Sequence, residues 1–498
     1  MEAPALLVSG GDARVTPDPA SGLNRYGCGA SPDIAVAAFG SSTCSTISTA
    51  AFAAVERLAG RLSAEALGGD ESGLYGQELQ RIRVKLAGLL GLQDQPGLKT
   101  ILSPSGTDLH RLALHLVAAG ASAPPLVILP EPHETGGGVV AALGGQIGPT
   151  SALRFAITAP NLEAALLRPQ IMTARSRAAD GTLRPAHQID EEIAAIAASA
   201  ARAGRKVLLV TMDVSKTGLI SPSVACAQDL KQRFPELVEV MVDACQLRLA
   251  PATLAAYLRQ DFLVAITGSK FITGPAFSAA LLVPEAAAER IQASRLPRAV
   301  AELCLRGDLP EGWRGAPDLE AKANFGLVLR WEAALEEMRR FGALRPAAVA
   351  RFFGDFAAAI GERLADDEAF EPAAVRPLER TGLGAAPSWD RIQTIFPFYF
   401  RRGGRPMSPV ETLALQRLMA VDLGQWAGWA GAGRRIQLGQ PAYCGRRGET
   451  ELSAVRLCMS ARLAVEALAP GGCGAKAMID EALLALDKAA WLTTRLDR

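Results

Sequence analysis

One stretch of the sequence places a lysine where an enzyme could use it. In DFLVAITGSKFITGP, residues 261–275, an apolar run from Phe262 to Ile266 leads through small polar residues to Lys270. Most lysines lie on solvated faces, whereas open α/β sheets build their binding sites at the carboxyl ends of core strands. An exposed loop lysine is the alternative, and the rest of the chain has to decide between them.

A carboxylate ends an earlier apolar run. In VEVMVDACQLRL, residues 238–249, Asp243 closes a strand pattern and Gln246 follows three residues later. A carboxylate at the end of a buried strand is costly unless it is paired, although a helix-capping role is the alternative. Asp243 and Lys270 are 27 residues apart, about one βα unit, so we expect both side chains at the same edge of one sheet.

A candidate phosphate cradle precedes both residues. In SPSGTDLH, residues 103–110, Ser105, Gly106 and Thr107 open a predicted helix. Free backbone N–H groups at a helix start suit a phosphate, but the same residues also make an ordinary helix cap.

Two further polar segments follow predicted strands. His133 and Glu134 precede a glycine run, where a flat side chain could stack on a planar cofactor that the glycines allow to approach closely. A polar loop is the alternative there. Ser215 lies in MDVSKTG, residues 212–218, where an ordinary surface turn is equally compatible with the local sequence.

An amine, an acid and a phosphate cradle at one rim match the needs of pyridoxal 5′-phosphate. The chain resembles fold type I pyridoxal-phosphate enzymes, nearest the branch of class V aminotransferases, cysteine desulfurases and kynureninases. The motifs that carry this resemblance are SGT (105–107), DACQ (243–246) and TGSKFITGP (267–275). Their combination is specific, whereas each motif alone is not.

The resemblance implies roles for individual residues. Lys270 corresponds to the lysine that forms the Schiff base and later shuttles protons. Asp243 corresponds to the partner of the pyridine nitrogen, and Gln246 to the residue that bonds the cofactor 3′-oxygen. The phosphate ligands that it implies are Ser105, Gly106, Thr107, Thr267 and Ser269.

Two positions depart from the pattern of that family. The usual Glu-His pair reads Pro132-His133-Glu134, so either His133 or Glu134 could face the cofactor ring. Ser215 stands where the branch often has an asparagine near the 3′-oxygen. These departures weaken a direct transfer of mechanism.

The resemblance also implies which residues bind the substrate. An arginine on a late strand typically grips the α-carboxylate, a place that Arg456 fits and for which Arg391 is a weaker competitor. Bidentate pairing favours arginine over lysine there, although a strand-edge surface arginine is the alternative. Asn24 and Tyr26 are candidates to close over the substrate, with a purely structural loop as the alternative. Cys444 lies roughly where some cysteine desulfurases carry a nucleophilic thiol, but buried cysteines are commonly inert.

Composition limits the classes of function. The chain has 498 residues, 49% of them hydrophobic, and a net charge of +1, which argues against a general nucleic-acid or membrane surface. Its eight cysteines form no CxxC pair, and with four histidines a zinc site is not expected. The N-terminus lacks the pattern of a signal peptide, so we expect a cytoplasmic protein with reduced thiols.

Strand-like runs alternate with helical segments. This pattern predicts an α/β protein of the pyridoxal-phosphate fold type I, with a mostly parallel sheet between helices and a smaller α+β C-terminal domain. The expected division is an N-terminal arm and cleft-lining segment over 1–48, a large cofactor-binding domain over 49–300 and a small domain over 301–498. Within the first segment, residues 1–22 are expected to be flexible.

The sequence therefore predicts an enzyme that uses pyridoxal 5′-phosphate on an amino acid as its small-molecule substrate. The resemblance implies a homodimer with the site at its interface, where Thr273 is the candidate residue near the partner's phosphate. Aminotransfer is the first expectation for the reaction. Cleavage or replacement at the β or γ carbon, through a C–S or C–C bond, is the second, and a non-catalytic binding protein of the same fold is the third.

Overall fold

The computed structural model describes residues 2–144 and 168–495, which form two sheets and the helices around them. The strands are β1 (Val36–Phe39), β2 (Lys99–Ser103), β3 (Leu126–Pro130), β4 (Gln170–Ala174), β5 (Val207–Met212), β6 (Val238–Ala244), β7 (Leu263–Thr267), β8 (Ala279–Val283), β9 (Phe370–Pro372), β10 (Ile395–Arg402), β11 (Arg405–Pro406), β12 (Arg435–Arg447) and β13 (Thr450–Cys458).

The helices cover both sheets. They are α1 (Ala3–Leu7), α2 (Thr49–Glu65), α3 (Glu71–Leu89), α4 (Gly106–Val117), α5 (Val139–Leu143), α6 (Ala186–Arg202), α7 (Val224–Arg233), α8 (Pro251–Arg259), α9 (Glu285–Gln292), α10 (Phe325–Gly342), α11 (Pro346–Asp366), α12 (Pro409–Leu418), α13 (Gly424–Ala427), α14 (Ala461–Leu468) and α15 (Ala475–Thr493). A bilayer-spanning helix needs about twenty mostly apolar residues, and none of these described helices meets that requirement.

The larger sheet has seven strands in the order β2-β8-β7-β6-β5-β3-β4. The neighbours from β7 to β4 all pair in parallel, whereas β8 pairs antiparallel with both β7 and β2. This arrangement confirms the predicted mostly parallel sheet. Because β5, β6 and β7 run in the same direction, their carboxyl ends meet at one edge, which is where open α/β sheets bind ligands.

Helices lie on both faces of this sheet, as the sequence predicts. In β5, Val207 and Leu209 face one hydrophobic core while Leu208 and Val210 face the other. All four side chains are fully buried, which explains why a parallel strand reads as a continuous apolar run. Helices α4 and α9 contribute to one core, and α2, α3 and α6 contribute to the other.

The second sheet has the order β1-β12-β13-β10-β11, with β9 added at β10. The pairs among β9 to β13 are antiparallel, and helices α11 and α15 pack beside them. This is the predicted smaller α+β unit in the C-terminal part of the chain. It also takes in β1, which pairs in parallel with β12 although it lies in the N-terminal segment.

The N-terminal residues are packed as far as Val15, so the expectation of a flexible arm over 1–22 is wrong for residues 3–15, whereas residues 18–22 are exposed. Ala3 and Leu7 are buried, and so is Val15. Arg330, fully buried on α10, donates to the carbonyls of Leu7 at 3.0 Å and Ser9 at 2.6 Å, and to the carbonyl of Gly10. A low density of apolar residues suggests that a segment is flexible. Here the buried guanidinium of Arg330 holds the segment in place by donating hydrogen bonds to several of its carbonyls.

Arg248 joins three parts of the chain that are distant in sequence. Its fully buried guanidinium donates to Ser41 Oγ at 3.0 Å, Thr394 Oγ1 at 2.9 Å and the Met459 carbonyl at 2.7 Å. The guanidinium also lies 5.1 Å from the centre of the Phe271 ring. The N-terminal segment and the second sheet are thereby held against the turn that carries Lys270.

Replacing Arg330 by leucine is expected to lower the free energy of unfolding by about 2–4 kcal/mol, because several buried carbonyls would lose their donor. Urea unfolding followed by circular dichroism measures this loss, and limited trypsinolysis near Arg14 reports release of the N-terminal residues. Arg339→Leu is the matched control on the same helix, with a side chain 62% exposed, and should change stability by no more than about 0.5 kcal/mol. Equal losses in the two variants would contradict the role of Arg330.

Candidate active site

The carboxyl edge of the larger sheet brings Asp243 and Lys270 together. Asp243 lies near the end of β6, where it pairs with Ala265 of β7. Lys270 follows the end of β7 by three residues. The charge of Lys270 acts on the pKa of Asp243, so the two groups are electrostatic neighbours, as the spacing of their motifs predicts.

Asp243 is held as a carboxylate by a histidine. Its Oδ2 atom lies 3.2 Å from Nε2 of His110, and Oδ1 accepts from the Cys245 N–H at 3.1 Å. Burial alone would raise the pKa of Asp243, but His110 and Lys270 together hold it well below its usual range. A buried aspartate is therefore kept charged.

His110 is fixed in turn by the start of α4. Its Nδ1 atom lies 2.7 Å from the Gly106 carbonyl, one helical turn earlier. Burial would lower the pKa of His110, whereas Asp243 and this carbonyl raise it above the ordinary value. His110 thus joins the carboxylate at the end of β6 to the helix that opens the candidate phosphate cradle.

The amine of Lys270 is free to react. The residue is half-buried, and its amine has no hydrogen-bond or ion-pair partner among residues 2–144 and 168–495. Its backbone is held by a tight turn in which Gly274 N donates to the Gly268 carbonyl at 2.8 Å. A Cβ on Gly268 would lie 2.4 Å from Cβ of Ala334, so packing against α10 requires glycine immediately before Ser269 and the lysine.

The start of α4 has the geometry of an anion cradle. Ser105 caps the helix, because its Oγ accepts from Asp108 N at 3.2 Å and donates to the Asp108 carboxylate at 2.6 Å. Gly106 allows close approach, since a Cβ there would lie 2.8 Å from Cys245 Sγ. Thr107 is half-buried at the first turn. The uncapped N–H groups there point out of the helix end.

Thr267 and Ser269 lie beside this cradle, in the turn after β7. Thr267 Oγ1 donates to the Cys245 carbonyl at 2.6 Å, and Ser269 Oγ lies 3.4 Å from Thr267 Oγ1. Both residues are buried. The structure therefore gathers the hydroxyl groups that the sequence assigns to the phosphate around the loop that contains Cys245.

His133 and Glu134 occupy different environments. His133 is exposed, and the centre of its ring lies 4.5 Å from that of Tyr443 on β12. Glu134 is buried, and its carboxylate accepts from Ser215 Oγ at 2.6 Å and from Thr217 Oγ1 at 2.7 Å. Arg177 Nε lies 3.5 Å from the same carboxylate. The carboxylate oxygens of Glu134 thus already accept hydrogen bonds within the protein. The hydroxyl proton of Ser215 is used in one of these bonds.

Gln246 retains an unused polar atom. Its Nε2 donates to the Ser42 carbonyl at 3.0 Å, while its buried Oε1 has no hydrogen-bond partner within the described chain. A buried polar atom without a partner is rare in folded proteins. This oxygen is therefore an unused acceptor in the segment that follows Asp243.

Arg456 on β13 is a buried cation without a carboxylate partner in the part of the chain that the structure describes. It is 3% exposed, and Nη2 donates to Thr43 Oγ1 at 3.2 Å and to the Gln440 carbonyl. Nη1 lies 3.5 Å from the Lys216 carbonyl, and Nε has no partner in those same residues. Burial lowers the pKa of Arg456. Arg391, the weaker candidate, is exposed.

Asn24 and Tyr26 lie in a turn beside β12. Asn24 Oδ1 accepts from the backbone N–H of Tyr26 at 2.9 Å, and the Tyr26 carbonyl accepts from Gln437 of β12 at 3.1 Å. The Asn24 side chain thus stabilises its own turn. Thr273 lies apart from these residues, along a surface cavity of about 280 Å³ that Arg462 also lines.

Cys444 is not an activated thiol. It is 3% exposed, and burial raises its pKa to about 11. Its neighbours include Tyr399, Leu452 and Ala454. A thiolate is the nucleophilic form of cysteine, so this side chain stays protonated and packed at neutral pH.

Sequence reasoning missed His110 and Lys216, although both lie inside stretches that it singled out. His110 ends SPSGTDLH, four residues after Gly106, so helical spacing alone places it on the face of Gly106. Its pairing with Asp243 depends on a contact across more than a hundred residues, which no local pattern reports. Lys216 lies in MDVSKTG beside Ser215, and only the fold brings it to Arg456.

Replacing Asp243 by asparagine is expected to lower the pKa of His110 below its ordinary value of about 6.5, because burial then acts without the opposing carboxylate. In the native protein the pKa of His110 is raised, so its ion pair with Asp243 stabilises the folded state fully at lower pH. That stabilisation is lost as pH rises through the pKa of His110 in the folded protein. A histidine NMR titration measures both values, with four histidines to assign. His115 is the internal control, since burial and Arg111 lower its pKa to about 4. An unchanged His110 titration would contradict the pairing.

Comparisons with known proteins add the fold to this geometry. No protein-family model matches the sequence, and no curated protein matches it. Among solved structures, the chain is similar to a cysteine desulfurase from Escherichia coli, with 16% identity, a TM-score of 0.53 and coverage of 92% of this chain and 95% of that one. A cystine C–S lyase in complex with cysteine persulfide matches at 16% identity and TM-score 0.53, covering 89% and 97%.

A NifS-like protein from Rickettsia africae matches at 10% identity and TM-score 0.52, covering 91% of this chain and 99% of that one. These matches span nearly the whole length of both chains, including the second sheet. The expected resemblance to fold type I enzymes of the cysteine desulfurase branch is therefore confirmed at the level of the fold.

Proposed function

We propose that this protein is a pyridoxal-phosphate-dependent enzyme that acts on an amino acid, with Lys270 as the residue that forms the Schiff base. The observation that carries the proposal is the partnerless amine of Lys270 beside a buried aspartate that His110 keeps ionised. A permanently charged carboxylate suits a protonated pyridine nitrogen, because the opposite charges compensate each other's burial.

The neighbouring residues fit the rest of the cofactor. The N–H groups at the start of α4, with Thr107, Thr267 and Ser269, suit a phosphate. The unpartnered amide oxygen of Gln246 supports a ligand contact near Asp243, and exchange of its amide N and O atoms would offer the 3′-oxygen a donor instead. His133 is favoured over Glu134 for the ring face, because the Glu134 carboxylate is already bonded to Ser215 and Thr217.

The mechanism divides among four side chains. Bound pyridoxal phosphate would supply an electron sink for carbanion chemistry. Lys270 holds and moves the proton at its Nζ atom, and Asp243, oriented by His110, provides a fixed negative charge. Arg456 binds and orients the substrate carboxylate, for which its buried, unpaired guanidinium is suited.

Aminotransfer remains the first candidate reaction, and it needs no residue beyond these four. A β- or γ-lyase reaction is the second candidate, favoured by the likeness in fold to two proteins whose names record C–S bond cleavage. A desulfurase mechanism that uses Cys444 as nucleophile is disfavoured by the burial and raised pKa of that thiol.

The proposal extends to assembly and location. A homodimer in the cytoplasm is the form we propose, although Thr273 is 2% exposed and its hydroxyl donates to the Ile272 carbonyl, so its side chain does not itself support a contact with a second copy. Sedimentation velocity of the holoenzyme would test the dimer.

Lys270→Ala is expected to abolish the Schiff-base absorbance and reduce turnover by at least about a thousandfold, since covalent catalysis is lost. Borohydride reduction followed by peptide mapping should place a pyridoxyl group on Lys270 in the native protein. Lys85→Ala, on the exposed side of α3, is the control and should keep both signals. A native protein that binds no cofactor, or keeps wild-type turnover without Lys270, overturns the proposal. Reducible cofactor without turnover of any amino acid supports the non-catalytic alternative.

The two candidate reactions differ in what accumulates. With an amino acid as the sole substrate, aminotransfer should convert the holoenzyme stoichiometrically to its pyridoxamine form and release one keto acid per site. A lyase should instead release keto acid and ammonia continuously without an amino acceptor. Absorbance spectra combined with an ammonia assay separate the two outcomes, and continuous ammonia release would exclude simple aminotransfer.

A further inference from the structure

A second, half-buried cation, Lys216, lies beside Arg456, and the proposed mechanism does not use it. Lys216 lies after β5, half-buried, with its backbone N–H bonded to the Glu134 carbonyl at 3.0 Å. Its own carbonyl is the group that Nη1 of Arg456 approaches at 3.5 Å. The backbone of Lys216 therefore lies beside the guanidinium of Arg456.

The amine of Lys216 is an electrostatic neighbour of the other cations. Its Nζ donates to the Pro132 carbonyl at 3.2 Å, immediately before His133. That single contact leaves two of its three N–H donors for other partners. The charges of Arg456 and Lys270 both lower the pKa of Lys216, so the three cationic groups influence one another.

One carboxylate, that of Glu134, acts on the pKa values of both Lys216 and Arg456, but it lies within ion-pair distance of neither. Neither Lys216 nor Arg456 makes an ion pair with a carboxylate among the described residues. Glu134 is the acidic group that acts on Lys216, but its oxygens are bonded to Ser215 and Thr217. Burial and the two neighbouring cations lower the pKa of Lys216 to about 8. Unpaired buried cations are costly, and an anionic ligand removes that cost.

We infer that Lys216 is a specificity-determining residue that binds a second anionic group, so that the preferred substrates are amino acids with an acidic side chain. Arg456 binds the α-carboxylate and Lys216 binds the side-chain anion, which extends from the region of Lys270 towards Pro132. This inference rests on the proposed function, because it assigns the substrate class of that same site.

Binding of non-reactive carboxylates to the holoenzyme tests the inference without turnover. Succinate and butyrate have the same chain length but differ in one carboxylate. In the native protein succinate should bind at least about tenfold more tightly than butyrate, as expected for one additional charge-assisted contact. Isothermal calorimetry or the shift in cofactor absorbance measures both dissociation constants, and glutarate with valerate repeats the comparison at a longer spacing.

Three variants separate the two cations. Lys216→Met should lose most of the preference for succinate while changing butyrate affinity by less than about twofold, and Lys216→Arg should retain most of the preference. Arg456→Met should weaken both ligands. Kinetics should agree: Lys216→Met should raise KM for aspartate or glutamate at least about tenfold and leave KM for asparagine or glutamine nearly unchanged.

The outcomes are distinct from those of the cofactor test. If borohydride traps Lys270 but the native protein binds succinate no better than butyrate, the inference about Lys216 is wrong and the proposed function stands. Parallel loss of both ligands in Lys216→Met also overturns it, because the lysine would then support only the general site. Absence of a trapped Lys270 would remove the proposed function itself.

Discussion

The buried guanidinium of Arg248 is the contact on which the arrangement of the site depends. It follows the DACQ motif by two residues, donates to Ser41, Thr394 and Met459, and lies over the ring of Phe271. A buried arginine needs its donors satisfied, and here the acceptors belong to segments that must all be in place. One group therefore positions three parts of the site: the strand end that bears Asp243, the turn that bears Lys270 and the second sheet that bears Arg456.

Electrostatic pairing then determines what each side chain can do. Asp243 is buried yet charged because His110 and Lys270 compensate it, whereas Lys216 and Arg456 make no ion pair with a carboxylate among the described residues. A buried cation without a carboxylate partner lowers the stability of the protein, unless a ligand supplies the anion. The distribution of paired and unpaired charges therefore separates the structural part of the site from the part that faces ligands.

Much of the architecture could be predicted because it follows from local patterns of apolar and polar residues in the sequence. Apolar runs such as Phe262–Ile266 locate the parallel strands, and the SGT, DACQ and TGSK motifs lie at their predicted edge. The pairing of His110 with Asp243 and the bonding of Glu134 to Ser215 could not be predicted, because they are contacts between segments far apart in sequence. The ordered N-terminus was mispredicted for the same reason, since its partner Arg330 lies on a helix more than three hundred residues away.

The membership of β1 in the second sheet has a consequence for how the chain folds. Val36 pairs with Arg435, and nearby Ser41 Oγ bonds a carbonyl 418 residues further on. At synthesis rates of about 5–20 residues per second, this strand leaves the ribosome roughly 20–80 seconds before its partner exists. During that interval the larger sheet can form, but the N-terminal strand has an unsatisfied edge that invites pairing with other chains. The pairing of β1 with β12 therefore has to wait until most of the intervening chain has been made.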